Sequence, residues 1–157
     1  MAKIGEKLNL DFTVKAAVDG EKRELLFSEL IDARTIVSVY MKNNTKSCDL
    51  QVASLVAHAD KISDFGVKIV VVSKDTVGSH CRYAEKQGAN FVFVSDPEYG
   101  FATAVGSLVE KKMYGKTFVG PTRSAYLIDE SGKLLADIEK VDSPNHGQQI
   151  VDLIKSL

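Results

Sequence analysis

The sequence predicts an α/β fold with a central, mostly parallel mixed sheet, helices on both faces and an N-terminal β-hairpin. Apolar, β-branched runs at 35–41, 67–73 and 91–95 alternate with longer amphipathic segments, as strands and helices do around a parallel sheet. Strand pairs separated by turn residues precede and follow this region, which adds antiparallel strands. No linker or repeat divides the chain, so residues 1–157 are treated as one domain.

The N-terminal hairpin is predicted from its turn. FTVKAAV and RELLF flank Asp19-Gly20, a dipeptide that favours a tight two-residue turn between antiparallel strands. A brief helical stretch is predicted to follow at 28–31, before the first strand of the alternating region.

That first strand is TIVSVYM at 35–41, a seven-residue apolar run of the kind that is buried on both faces of a sheet. The polar loop KNNTKS separates it from a helix predicted from about Cys48 to Ile62. Cys48 is therefore expected at a junction between a buried strand and the start of a helix.

The rest of the chain continues the alternation and then ends with antiparallel strands and a helix. The predicted elements, in order, are a strand at 67–73, a helix at 76–87 that Gly88 ends, a strand at 91–95, a short helix near 100–105, a hairpin of 124–129 and 133–138, and an amphipathic helix at 145–157. This order is that of a thioredoxin-like α/β sandwich.

Charge and hydropathy exclude several classes of partner. The chain has 20 basic and 21 acidic residues, so no basic excess indicates binding to nucleic acid or to an anionic membrane surface. The N-terminal segment MAKIGEKLNLDF lacks the apolar stretch of a signal peptide, and the run VKIVVV is too short to span a bilayer. We therefore expect a cytoplasmic protein that binds neither nucleic acid nor membranes.

The two cysteines, Cys48 and Cys81, are candidates for redox chemistry. In a reducing compartment a stable structural disulfide between them is not expected. The three histidines and two cysteines show none of the paired spacings of zinc sites, so we expect no metal and no cofactor. His58 and His80 are expected on solvated helix surfaces, and His146 has no predicted role.

The position of Cys48 favours a reactive thiolate over a buried structural cysteine. Unpaired N–H groups and the positive end of the helix dipole stabilise a thiolate in the first turn of a helix. All residues from Asn43 to Ser47, and Asp49, are polar, whereas a core cysteine would have apolar neighbours. Thr45 also places a hydroxyl group three residues before the sulfur.

The segment VSVYMKNNTKSCDLQ resembles the active-site segment of peroxiredoxins of the bacterioferritin-comigratory-protein (PrxQ) group, in the AhpC/TSA superfamily. That group carries Tyr-Pro-Lys, a short loop and Thr-Pro-Gly-Cys; the matching residues here are Tyr40, Lys42, Thr45 and Cys48. The resemblance covers nearly the whole chain. Its most specific block, KKMYGKTFVGPTRSAYLID, places Arg123 where the family has its catalytic arginine.

The resemblance implies a thiol peroxidase that reduces hydrogen peroxide and organic hydroperoxides. Cys48 would be the peroxidatic cysteine, Thr45 and backbone N–H groups would hold the peroxide, and Arg123 would stabilise the developing negative charge. A guanidinium suits that role because it stays charged and presents several donors in one plane. The residues expected to line the substrate pocket are Tyr40, Met41 and Ser47.

The resemblance also implies a resolving cysteine on the next helix, a role that falls to Cys81, which would condense with the sulfenic acid formed on Cys48. It lies about one helical turn before the commonest family position, which aligns with Ala84. A disulfide needs Cα atoms within roughly 7 Å, and residues on two separate helices rarely lie that close. Both helices are therefore expected to unwind locally, which Gly78 and the neighbouring weak helix formers favour in the second helix. The resemblance further implies reduction by thioredoxin or a similar dithiol, and a monomer. If Cys81 has no partner, an external thiol would reduce Cys48.

Two alternatives to a peroxidase remain open from the sequence. A thioredoxin-type disulfide reductase is disfavoured because Cys48 belongs to no Cys-x-x-Cys pair. A peroxide sensor or binding module with a decayed pocket is suggested by two departures from the family pattern, Met41 in place of proline and Lys46-Ser47 in place of Pro-Gly. The joint presence of Thr45, Cys48 and Arg123 favours the enzyme.

Overall fold

A seven-stranded mixed sheet forms the centre of the structure, a computed structural model that describes residues 2–157. Its strands are β1 (Thr13–Val18), β2 (Glu21–Leu26), β3 (Thr35–Val39), β4 (Lys68–Ser73), β5 (Val92–Ser95), β8 (Ser124–Ile128) and β9 (Leu134–Ile138). A separate hairpin consists of β6 (Leu108–Met113) and β7 (Lys116–Pro121). The α-helices are α1 (Lys46–Asp64), α2 (Val77–Gln87), α3 (Gly100–Val105) and α4 (His146–Lys155), and 3-10 turns occupy Phe27–Leu30 and Ser143–Asn145.

The strand order is β2-β1-β5-β4-β3-β8-β9. Parallel pairing is confined to the three central strands, where Val37 of β3 lies opposite Val70 of β4 and Val71 opposite Phe93 of β5. The outer strands pair antiparallel because hairpins supply both edges. The predicted α/β class, the mixed sheet and the N-terminal hairpin are confirmed. The sheet is not mostly parallel as predicted, because two of its six strand pairs are parallel and the other four are antiparallel.

Successive residues of the central strands point into two different cores. Ile36 of β3 faces the core that contains α1, α2 and α4, whereas Val37 faces the core that contains α3 and the first 3-10 turn. All five residues of β3 are buried, which explains the continuous apolar run in its sequence. The prediction of helices on both faces is therefore confirmed.

The predicted turns and helix boundaries are close to the observed ones. Asp19 and Gly20 adopt φ values of 51° and 80°, as a tight hairpin turn requires. Thr76 caps α2 by accepting a hydrogen bond from the Ser79 N–H at 3.2 Å, and Gly88 follows its last residue. No helix within residues 2–157 is long and apolar enough to cross a membrane.

The β6–β7 hairpin was not predicted. Its strands carry several charged residues and are largely exposed, so they lack the apolar alternation that marks a half-buried strand. The hairpin nevertheless matters for the site, because Lys111 of β6 reaches Met41 at the end of β3.

Candidate active site

Cys48 lies in the first turn of α1 with 1 % of its surface exposed. α1 follows the buried strand β3 and a polar loop, so the sulfur lies beyond the C-terminal end of a central strand. Arg123, just before β8, donates from Nη1 to Cys48 Sγ at 3.2 Å. Because β8 pairs with β3, these two residues meet although 75 positions separate them.

The surroundings of Cys48 lower the pKa of its thiol below the ordinary value. Burial opposes ionisation, but hydrogen bonds from the Thr45 hydroxyl, from backbone N–H groups of Lys42 and Met41 and from the Arg123 guanidinium outweigh it. Thr45 Oγ1 lies 2.8 Å from the Lys42 carbonyl oxygen, so its single hydrogen can be donated either to that oxygen or to the Cys48 sulfur. The site therefore favours a thiolate.

The three residues predicted to line the pocket lie at different depths. Tyr40 is fully buried, its hydroxyl donates to Asn43 Oδ1, and burial raises the pKa of that hydroxyl well above its usual value. Met41 is half-buried, and its Sδ accepts a hydrogen bond from Lys111 Nζ at 3.2 Å. Ser47 is exposed in the first turn of α1. Tyr40 thus contacts the loop before α1 from the protein interior, while Met41 and Ser47 lie nearer the surface.

A cavity of about 190 Å³ adjoins Met41 under the β6–β7 hairpin. Its walls include Tyr99, Phe101, Met113, Phe118 and Pro121. Burial lowers the pKa of Lys111 at its edge, and the positive charges of Arg123 and Lys74 lower it further. Lys74 and Lys111 thus line a largely apolar cavity, and Arg123 is near enough to lower the pKa of Lys111.

Gln51 is a site residue for which the sequence analysis predicted no role. It lies three residues after Cys48 on α1, is fully buried, and accepts a hydrogen bond from Arg123 Nη1 at 2.8 Å through Oε1. Because residues three apart share a helix face, the spacing between Cys48 and Gln51 is the sequence feature that would have predicted this role.

Asn43 ties the loop before Cys48 to the helix that carries Cys81. Its backbone N–H donates to Asp75 Oδ2 at 2.9 Å, and its side-chain amide donates to Ser79 Oγ at 3.1 Å. Asn43 is 3 % exposed, so these hydrogen bonds are largely protected from water. The start of α1 and the start of α2 are thereby held together in this structure.

The prediction that His80 lies on a solvated surface was wrong. His80 is fully buried, with Asn43 Nδ2 and Ser73 Oγ each 3.3 Å from a ring nitrogen and its ring 5.7 Å from that of Phe93. Burial lowers the pKa of His80 to about 4, so the ring is neutral at pH 7. His58, also expected to be solvated, is half-buried.

Cys81 is half-buried and lines a groove with Ala17, Ala84 and Phe91, on the side of α2 that faces β1. Tyr83, two residues later, faces α1 instead and donates to Asp49 Oδ1 at 2.5 Å. Both cysteines are free. The structure therefore brings Arg123 and Thr45 to Cys48 but places Cys81 in different surroundings.

Residues 4–136 match the model of the AhpC/TSA family. The chain belongs to this family. Peroxiredoxin Bcp from Xanthomonas campestris is 31 % identical over 121 residues, which are 77 % of this chain and 76 % of that protein. Peroxiredoxin Bcp from Escherichia coli is 30 % identical over 137 residues, which are 87 % of this chain and 86 % of that protein.

Solved structures agree with this assignment. Peroxiredoxin Q from Xanthomonas campestris superposes with a TM-score of 0.85 at 25 % sequence identity, covering 96 % of this chain and 95 % of that one. The resemblance to the PrxQ group and the thioredoxin-like fold are thus confirmed. The chain is a peroxiredoxin, an enzyme that reduces hydroperoxides with a cysteine thiol.

The departures from the peroxiredoxin pattern leave the local backbone in place. α1 begins at Lys46 although that position lacks the proline that favours a helix start, so Cys48 stays in the first turn. Met41 adds a backbone N–H group that a proline would lack, and this group contributes to lowering the pKa of the Cys48 thiol. The geometry thus keeps Cys48 at the start of α1 with hydrogen-bond donors around its sulfur.

Proposed function

We propose that Cys48 is the peroxidatic cysteine and that Arg123 stabilises the peroxide as it reacts. The Arg123–Cys48 contact of 3.2 Å, beside a thiol of lowered pKa, carries this assignment. The thiolate attacks one peroxide oxygen, the O–O bond breaks, and the leaving oxygen takes a proton. The products are a sulfenic acid on Cys48 and an alcohol, or water when hydrogen peroxide is the substrate.

Thr45 and the backbone N–H groups of Ser47 and Cys48 are proposed to hold the peroxide in line. All lie at the N-terminus of α1, where N–H groups have no partner within the helix. Arg123 Nη1 donates one hydrogen to Cys48 Sγ and one to Gln51 Oε1, which leaves the other guanidinium nitrogens for the peroxide. Tyr40 and Met41 complete the pocket wall.

Cys81 is proposed as the resolving cysteine. Its thiol would attack the Cys48 sulfenic acid, release water and form a disulfide, which thioredoxin or a similar dithiol would reduce while being oxidised itself. The hydrogen bonds from Asn43 to Asp75 and Ser79 link the starts of α1 and α2, so the proposed local unwinding of these helices would break them. A cytoplasmic location and a monomeric state are part of this proposal.

The roles of the two cysteines can be tested by intact mass and free-thiol counts after one equivalent of hydrogen peroxide. Wild type is expected to lose two hydrogen atoms, and Cys81→Ser to gain one oxygen on Cys48. A sulfenic acid without a disulfide in the wild type would remove Cys81 from the cycle. An unreactive Cys48 would contradict its assignment as peroxidatic and favour the decayed binding module.

Thr45→Val is expected to raise the pKa of the Cys48 thiol and to slow its oxidation about tenfold at neutral pH. The Thr45 hydroxyl helps to lower this pKa, so its removal shifts the equilibrium towards the unreactive thiol and moves the rate profile to higher pH. Thr45→Ser keeps the hydroxyl and is the control. The pH dependence of thiolate absorbance measures the shift; coinciding profiles for valine and threonine would contradict it.

Gly78→Ala is expected to slow disulfide formation about two- to fivefold without changing the rate of Cys48 oxidation. Alanine stabilises a helix over glycine by about 0.5–1 kcal/mol, so α2 unwinds less often. A Cβ at this position meets no atom closer than 3.6 Å, so no clash offsets the gain. Stopped-flow traces separate the two steps. Unchanged disulfide formation, despite a stabilised α2, would mean that this helix need not open.

A further inference from the structure

A chain of buried polar side chains leads from Arg123 away from Cys48 to the start of α4. Arg123 Nη1 donates to Gln51 Oε1, Gln51 Nε2 donates to Ser38 Oγ, and Ser38 Oγ lies against His146 Nε2; each distance is 2.8 Å. Ser38, Gln51 and His146 have no exposed surface. Of these three residues, Gln51 alone contacts Arg123 directly, and Ser38 and His146 are linked to Arg123 through Gln51.

The direction of every hydrogen bond in this chain follows from the guanidinium, which can only donate. Gln51 must present its oxygen to Arg123 and its amide hydrogens to Ser38. Ser38 Oγ accepts one of them, so its own single hydrogen is left for His146 Nε2. That nitrogen is therefore an acceptor, and the ring hydrogen sits on Nδ1, which lies 3.2 Å from Gln149 Oε1.

His146 is neutral in this arrangement. Its pKa is lowered to about 4, chiefly by burial and also by the positive charge of Arg123, whereas the hydrogen bond to Gln149 acts in the opposite direction. Gln149 Oε1 also accepts from the Asp142 N–H at 3.0 Å, so the acceptor of the His146 ring hydrogen is itself held in place. The Nδ1–H form of the ring is thereby favoured.

We propose that His146 is a positioning residue for peroxide reduction, acting through Ser38 and Gln51 on Arg123. With His146 as acceptor, the Ser38 hydroxyl hydrogen points away from Gln51. If His146 is replaced by a residue without an acceptor, the Ser38 hydroxyl can donate to Gln51 Oε1 instead. The Gln51 amide then turns, and its NH₂ group faces the Arg123 guanidinium, which has no acceptor for it. The inference rests on the proposed roles of Cys48 and Arg123.

A second contact limits the size of the effect. Gln51 Nε2 also donates to the Val39 carbonyl oxygen at 3.2 Å, which favours the same amide orientation. Loss of His146 should therefore weaken the placement of Arg123 rather than abolish it. We expect a roughly three- to tenfold decrease in the rate of Cys48 oxidation, the size of one hydrogen bond's net contribution.

The test measures the rate of Cys48 oxidation by hydrogen peroxide in a Cys81→Ser background. His146→Phe, which keeps a ring but no acceptor, is expected to be slower, and His146→Gln, whose oxygen can accept from Ser38, to recover most of the rate. Ile150→Val, a conservative change on the same buried face of α4, is the packing control and should leave the rate unchanged. Equal rates for phenylalanine and histidine, or for phenylalanine and glutamine, overturn the proposal.

A double-mutant cycle separates positioning from general destabilisation. In a Gln51→Met background, His146→Phe should have no further effect on the rate, because the path to Arg123 is already broken. A full additional loss there overturns the proposal. Arg123→Met, measured in parallel, tests the proposed function itself: a slow Arg123 variant together with an unaffected His146→Phe would refute only the positioning role.

The position of the His146 ring hydrogen can be measured in the wild type, so this test does not depend on the folding of any variant. Two-bond ¹H–¹⁵N correlations of the histidine rings distinguish the two neutral forms. The hydrogen of His146 is expected on Nδ1, and finding it on Nε2 overturns the proposal, because Ser38 would then have two donors and no acceptor facing it.

Discussion

Replacing Arg123 by methionine is expected to slow the oxidation of Cys48 by hydrogen peroxide roughly 100- to 1,000-fold. Negative charge develops on the leaving oxygen, and a preorganised donor beside such a charge contributes about 3–4 kcal/mol. The substitution also removes a hydrogen bond that lowers the pKa of the Cys48 thiol, so less thiolate is present at neutral pH. The second-order rate constant for loss of the thiol, in a Cys81→Ser background, measures both effects together.

Arg123→Lys is the matched control because it keeps the positive charge. Arg123 Nη1 uses its two hydrogens on Cys48 and Gln51 and leaves the rest of a rigid plane for the peroxide. A lysine ammonium carries its donors at a single point and cannot reproduce that arrangement. Its rate should fall between those of arginine and methionine. A methionine variant as fast as the wild type would remove Arg123 from the reaction.

Most of the fold could be predicted because burial and turn chemistry leave local signals. The run TIVSV predicts β3, whose five residues are all buried, and Thr76 and Gly88 predict the two ends of α2. The β6–β7 hairpin leaves no such signal, since its largely exposed strands need no apolar face of their own. The exposure of His80 was predicted wrongly because polar residues are usually exposed. Asn43 and Ser73, on two other segments, form hydrogen bonds with His80 that permit its burial.

The candidate site shows the same limit. Cys48 and Thr45 follow from one local feature, the start of a helix after a buried strand. Arg123 is recognisable only through the family resemblance, because its approach to Cys48 depends on the pairing of β8 with β3. Ser38 looks like a small residue within an apolar strand, and nothing local indicates that His146 meets it across 108 positions of sequence.

The contact between α1 and α4, which brings His146 to Ser38, depends on a glycine. Gly147 is buried, and its backbone N–H donates to Ser54 Oγ on α1 at 2.8 Å. A Cβ at this position would lie 2.5 Å from the Ser54 carbonyl oxygen and would also clash with the His58 ring. His58 is half-buried and its side chain can turn, but the carbonyl belongs to the backbone of α1 and can move only if a helix shifts.

Gly147→Ala is therefore expected to lower the free energy of unfolding by about 1–3 kcal/mol. Helix propensity alone predicts the opposite sign, a gain of about 1 kcal/mol, so the direction of the change decides which effect dominates. Gly78→Ala on α2, where no clash occurs, is the control and should show the gain. Urea denaturation measures both; a Gly147→Ala midpoint at or above that of the wild type would mean that α1 and α4 have room for a methyl group between them. Because His146 and Gly147 are adjacent on α4, a shift of this helix should also move His146 away from Ser38. We therefore expect Gly147→Ala to slow Cys48 oxidation about as much as His146→Phe does.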